Sequence, residues 1–526
     1  LPNGGTLAAD GTVIGDVALD ITKGVVVAEA GSDGKTKYTQ YSGTSTTELS
    51  SFETDGQIVL VGSGTTSNYL QVNSGTANVT LDNVQLKTNG GGSDDANGLI
   101  RVTGGTLNLT IKGTNKLERN RGSIILVGST NDPTNPNAAV LNIDCAEDGD
   151  CSEGSCPHSL TVCNTGTARS AIIGAARSSG KQSGTINFNG GKVIVEGGDT
   201  AIGTANAPYV YHYGINITGG YVDVTPRVAA ESIGIGMGRT NSDGTVVNIN
   251  IIDGTVKVTN TADSANQNAT CPVAIGGGYH AHGKVNITIG SENTDPTVTA
   301  TCPNGVAIGK SDSDTPDSSG TTMDVNIVSG AVTATGKVGI GYTSGSVDPD
   351  GGSTISISGG KVTATGTQVG IGVGTPPLNY KDGKLHRNDS CDLNIAISDD
   401  AVVEASGGAV AIGVDEMVSG GTVDIAVSDS AKVNATSENG VALGSTKFDA
   451  AGYTTETTIA ITSTNVALDA ALPIAAATET VLAAGTIYAF ETENGTITVK
   501  IADDADATAD GNGTVTLPAG STVTKD

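Results

Sequence analysis

The chain has 526 residues, a formal net charge of −28, 75 glycines, no tryptophan and four phenylalanines. That negative field excludes nucleic acid and anionic membrane surfaces as natural partners, and no run reaches the roughly 18 apolar residues of a membrane-spanning helix. Cores of this length normally use many large aromatics, so this one must be assembled from Ile, Val and Ala in thin stacked layers.

The chain begins at Leu1 without Met, which reads as a processed secreted form. Residues 1–54, containing "GTVIGDVALDITKGVVVAEAG", read as strands that begin or cap an array. From residue 55 the alternation of apolar and polar positions becomes persistent, as in "LQVNSGTANVTLDNVQLKT".

A ruler then appears. Ile-Gly recurs at Ile173, Ile202, Ile235, Ile275, Ile308, Ile340, Ile371 and Ile412, followed by Leu443 in "VALG", at steps of 29 to 41 residues. A period of this size marks a stacked array. Each unit holds three short runs. The first alternates, as in Ile215/Ile217, Ile287/Ile289 and Ile395/Ile397; the second follows a Gly-Gly, Asp-Gly or similar corner, as in Val222/Val224 and Val332/Ala334. The third is the Ile-Gly run, whose glycine is expected to form a corner with positive φ. Period-two alternation sends one apolar row inward on each run, and glycine is too frequent for long helices. The fold expected over 55–464 is all-β: a single-stranded parallel β-helix, or β-solenoid, with three short strands per coil. Residues 465–526 read as a small β module or cap, with a hairpin turning at Asn494-Gly495.

The alternating stretch 55–127 followed by the Ala-Ile-Gly ladder resembles a class of secreted or surface-anchored microbial proteins with "AIGGG"-type β-helix repeats. It is also distantly similar to clostridial carbohydrate-binding β-helix proteins. The resemblance covers roughly 55–450 and implies a β-helix, calcium sites and a polysaccharide ligand; it supplies no ligand motif that maps onto individual residues here. "LPAGS" at 517–521 lacks the apolar and basic tail of a wall-sorting signal.

Four sets of residues are candidate sites. Acidic loops supply closely spaced oxygen ligands for Ca2+ at Asp312, Asp314 and Asp317, at Asp348 and Asp350, and at Asp504, Asp506 and Asp510; the bland alternative is a solvated acidic loop. Tyr209, Tyr211, Tyr213, Tyr279, Tyr342 and Tyr380 lie on the segments that follow Ile-Gly, where aromatic faces stack on sugars, anchor a neighbouring subunit, or pack locally. His280 and His282 lack a third metal ligand. A threonine ladder (Thr225, Thr259, Thr301, Thr335, Thr365, Ser406, Thr436) should face outward; Asp223, Lys257 and Asn434 interrupt the adjoining column, so a solvated β-face is favoured over ice binding.

Cysteines form the fourth set. Cys271 and Cys302 open similar phrases, "CPVAIGGG" and "CPNGVAIGK", in successive units. They are expected at one position of neighbouring coils, close enough for a disulfide, with two buried thiols as the alternative. Cys145 with Cys163 and Cys151 with Cys156 would form a nested pair, one of three connectivities, leaving Cys391 unassigned.

No nucleophile–base–orienter set occurs within one loop, and Glu196 and Asp223 stand alone, so no enzyme is expected. The reading that results is an extracellular, cell-surface structural protein that associates with copies of itself into a filament, sheath or stalk. The runner-up is a polysaccharide-binding adhesin with Ca2+ sites, and an enzyme acting on acidic glycans is a distant third.

Overall fold

The computed structural model describes residues 6–7, 13–14, 17–43, 47–89, 97–129, 134–146, 156–167, 169–177, 182–204, 210–227, 231–238, 244–262, 271–278, 281, 283–311, 322–343, 352–374, 380–381, 384–385, 392–415, 422–446, 456–461, 463, 465–475, 480–482, 485, 487–492, 495–509, 515–516 and 520–525. Among them there are strands and three short 3-10 turns but no α-helix. The strands pair mostly in parallel, as a β-solenoid requires. No helix is long and apolar enough to cross a membrane. The chain forms two compact units, Leu1–Arg227 with Ser232–Val258, and Val228–Glu231 with Thr259–Asp526.

In the first unit, the inward positions of the first wall stack in unbroken columns. One runs Ile58, Val79, Leu109, Ile143, Phe188, Ile217, Ile251, each paired with the next in parallel register. In the second unit another inward column of the first wall, Ile287, Val325, Ile355, Ile395, Ile425, Ile459, is equally continuous. All of these side chains are buried. Burying an aliphatic side chain of this size stabilises the fold by about 1.5–3 kcal/mol relative to exposure. The second wall repeats the pattern: Val298, Val332, Val362, Val403, Val433 and Val466 align and are buried.

The third wall departs from the expected one-sided pattern. In Val273–Gly277 and Val410–Val414 every residue is buried, on both faces. The positions between the inward residues are only Ala or Gly, such as Ala274, Ala307 and Ala411. The reason is close backbone approach: a Cβ on Gly339 would sit 2.5 Å from the Gly370 carbonyl oxygen and 3.1 Å from the Thr365 nitrogen.

The Ile-Gly glycine is not a corner. It lies within the third-wall strand with φ near 135°, at 138° in Gly309 and Gly341 and 133° in Gly372. The glycines stack on one another, Gly276 to Gly309 to Gly341 to Gly372 to Gly413 to Gly444. A Cβ on any of the first five would come within 1.9 Å of the next glycine's carbonyl oxygen. In the first unit Gly174, Gly203 and Gly236 repeat this, but the coils below carry Leu126, Arg101 and Gln71 in the same column. At the other end Gly444 pairs with Ala475. The parallel register therefore continues past residue 464 through a further coil, Asn465–Ala475.

Each unit also carries antiparallel strands. Gly24–Ala30 runs parallel to Leu70–Val72 on one edge and antiparallel to Thr36–Ser42 on the other; Glu48–Thr54 pairs antiparallel with Thr36–Ser42. This meander buries Tyr38, stacked on Phe52 at 5.8 Å between ring centroids. The Tyr38 hydroxyl accepts from the Asn78 N–H at 3.0 Å and donates to the Asn78 carbonyl oxygen at 3.2 Å. In the last part of the chain Ile487–Thr492 still pairs in parallel with Asn465–Ala475, then antiparallel with Gly495–Lys500, as the expected hairpin. Thr522–Lys525 pairs antiparallel with Gly495–Lys500.

Two outcomes follow from this packing. Gly341→Ala should lower the denaturation free energy by at least the about 1–3 kcal/mol of a strained backbone position. Gly352→Ala, whose added Cβ meets nothing closer than 3.7 Å, should leave the urea midpoint nearly unchanged. Burial pushes the Tyr38 hydroxyl up to about 12, from 10.0 when free. A raised folded value means its contribution is intact below pH 10 and is lost as pH climbs toward 12. Urea midpoints measured across that window should fall less steeply in Tyr38→Phe than in the natural chain.

Candidate functional site

The outer face of the first wall carries a feature that the sequence reading passed over. In the first unit Asn78, Asn108, Asn142, Asn187, Asn216 and Asn250 occupy one column of successive coils. Each Nδ2 donates to the Oδ1 of the asparagine one coil earlier, at 2.8, 2.7, 2.6, 2.7 and 2.8 Å in chain order. All five bonds point the same way. The signal was present in the Asn that opens "NVT", "NLT", "NID", "NFN", "NIT" and "NII". Asn216, which opens the Asn-Ile-Thr triplet, is a rung of this ladder.

The second wall turns a different chemistry outward. In the first unit Lys87, Glu118, Cys163, Glu196 and Thr225 form one column. Glu118 bridges Lys87 and Lys116, the latter at 2.9 Å, and hydrogen bonds from both ammonium groups hold its carboxyl below the usual range. Burial, then the hydrogen bond to Glu196, pushes the Cys163 thiol up to about 11, so it is a poor nucleophile. In the second unit the threonine ladder is in register as expected: Thr301, Thr335, Thr365, Ser406 and Thr436. Beside it Thr299, Thr333 and Thr363 give way to Glu404 and Asn434. The result is a hydroxyl-rich face three coils long, bordered by the Lys361–Glu404 ion pair at 3.6 Å.

Of the six tyrosines expected to face a ligand, Tyr213 and Tyr342 are core residues, 1% and 3% exposed. The Tyr213 hydroxyl donates to the Val127 carbonyl oxygen at 2.9 Å, the partner that makes its burial tolerable. These two are therefore corrected from surface contacts to packing. Tyr211 and Tyr380 lie on the strands Val210–Thr225 and Tyr380–Lys381. Tyr209 and Tyr279 fall outside the described residues, as do His280 and His282.

The same holds for Asp312, Asp314, Asp317, Asp348, Asp350 and Asp510. Asp504 and Asp506 are exposed in the turn after Lys500. Among the described residues, no three His, Cys, Asp or Glu side chains converge to hold a metal ion.

Two of the three expected staples, Cys271–Cys302 and Cys145–Cys163, are corrected as well. Cys271, Cys302, Cys145 and Cys163 are all free thiols. Ile275 pairs with Ile308, but Cys302 stands two residues further upstream of its isoleucine than Cys271 does, because Asn304 and Gly305 are inserted. Cys302 instead pairs with Gly336, and its Sγ donates to the Pro272 carbonyl oxygen at 3.3 Å. Burial pushes both thiols up, so they stay protonated. Cys145 ends a first-wall strand while Cys163 faces out from the second, and the walls hold them apart. Cys156 is half-buried; Cys151 and Cys391 lie outside the described residues.

No family model, curated protein or solved structure matches the chain. The surface chemistry must therefore speak for itself: continuous amide and hydroxyl columns, the amide rungs held by side-chain hydrogen bonds to their neighbours. Asn142→Ala removes one bond given and one received, and should lower stability by about 1–3 kcal/mol. Asn142→Asp can still accept from Asn187 but cannot donate to Asn108 until protonated. Its deficit, read from urea midpoints, should be smaller than alanine's and should shrink as pH falls through the carboxyl range.

Proposed function

We propose that the chain is an extracellular structural protein, a self-associating subunit of a surface filament, sheath or stalk. The observation that carries this reading is the way ladders run through successive coils. Asn78 to Asn250 are tied by side-chain hydrogen bonds, and Gly276 to Gly444 by backbone packing. Such coupling makes each coil depend on its neighbours, which suits load-bearing and spacing more than chemistry.

The antiparallel strands that each unit carries argue against growth by bare coils stacking on bare coils. Tyr38 and Phe52 already close the first core. Association in this reading uses outer strands or walls instead. The neutral hydroxyl and amide faces suit lateral contacts between chains of high negative charge, because they add no like charges at the contact.

Negative-stain images of the purified chain test the reading. Threads or sheets much longer than one molecule are expected. Isolated particles that co-sediment with insoluble polysaccharide would contradict it and favour the adhesin.

A further inference from the structure

The two antiparallel caps each end in a strand that is hydrogen-bonded on one side. Among the described residues Glu48–Thr54 pairs only with Thr36–Ser42, and Thr522–Lys525 only with Gly495–Lys500. Open strand edges are templates for another chain, and proteins usually blunt them with lysine, proline or short length. "ELSSFET" has neither lysine nor proline and is seven residues long. Its Leu49 is 52% exposed, the one large hydrophobic side chain so exposed among the described residues.

Charge says what fits there. A chain of net charge −28 repels its own copies unless the contact is complementary. Glu48–Thr54 carries two carboxylates and no cation. The paired strands Gly495–Lys500 and Thr522–Lys525, "GTITVK" and "TVTK", carry no carboxylate and two lysines, of which Lys500 is ion-paired with Asp503 at 3.1 Å and Lys525 lies on the outer strand. Pairing Glu48–Thr54 with its own counterpart would instead crowd four carboxylates onto one two-stranded ribbon.

We propose that the open edge of Glu48–Thr54 receives the Thr522–Lys525 edge of a second copy, by strand addition. This rests on the filament reading and names the contact that reading needs. Main-chain hydrogen bonds supply the attachment and the Glu–Lys complement selects the partner. Each chain has one edge of each kind, so the contact is heterologous. Each copy then offers a further edge to the next, so that copies join head to tail.

Sedimentation velocity of the full chain over a concentration series, with the melting temperature of each variant as a folding control, tests the contact. The natural chain should form species growing with concentration and shrinking as salt rises. Glu48→Lys alone and Lys525→Glu alone should each return the mass to that of a single chain. The double variant Glu48→Lys/Lys525→Glu should restore growth. If the natural chain grows and both single variants grow equally, the edge contact is overturned while the filament reading stands. A species that stops at two copies overturns it in favour of closed pairing. A natural chain that stays single at every concentration overturns both.

Discussion

The Ile-Gly coils depend on how closely one third-wall strand can lie over the next. The limit is set by a glycine with φ near 135° whose missing Cβ leaves room for the carbonyl oxygen of the glycine one coil on. Only glycine occupies that conformation without strain. Because the column is continuous, the constraint fixes register as well as distance. Sliding one coil by a single residue would bring a side chain against a carbonyl and turn the buried faces outward.

That fixed register explains the surface. Once parallel pairing sets each coil above the last, in the Ile-Gly coils and in those that carry Arg101 and Leu126 instead, equivalent residues on the other two walls fall into columns, whatever they are. Asparagine in such a column finds its own kind one strand spacing away and bonds to it, while lysine and glutamate alternate into bridges. The column also has ends. Below Gly174 it holds Leu126, Arg101 and Gln71, and after Gly444 it holds Ala475. Antiparallel strands take over beyond those coils, so glycine is used where one Ile-Gly coil must bear directly on another.

Much of this architecture was legible from the sequence, for a physical reason. The spacing of Ile-Gly and the alternation in pairs such as Ile215/Ile217 report a repeating backbone and a one-sided core, and both depend only on local pattern. The double burial of the third wall was hidden, because Ala and Gly look equally at home on a surface. The cysteine register was misread because matching "CPVAIG" to "CPNGVAIG" by their first letters ignores which residues the stacking aligns. It aligns the isoleucines, and the two inserted residues displace the thiol. Tyr213 and Tyr342 were misplaced because an aromatic beside a variable loop reads as exposed, whereas each sits on a strand where the wall turns it inward. The asparagine column was visible in outline, but its bonding needs the coordinates of neighbouring coils.

The most direct measurement is the separation of the Cα atoms of Ile308, Ile340 and Ile371 in an experimentally determined structure. The account predicts successive steps of about 4.8 Å, the spacing of paired strands, with all three side chains in one core. Steps well beyond about 6 Å, or isoleucines pointing into separate cores, would contradict it.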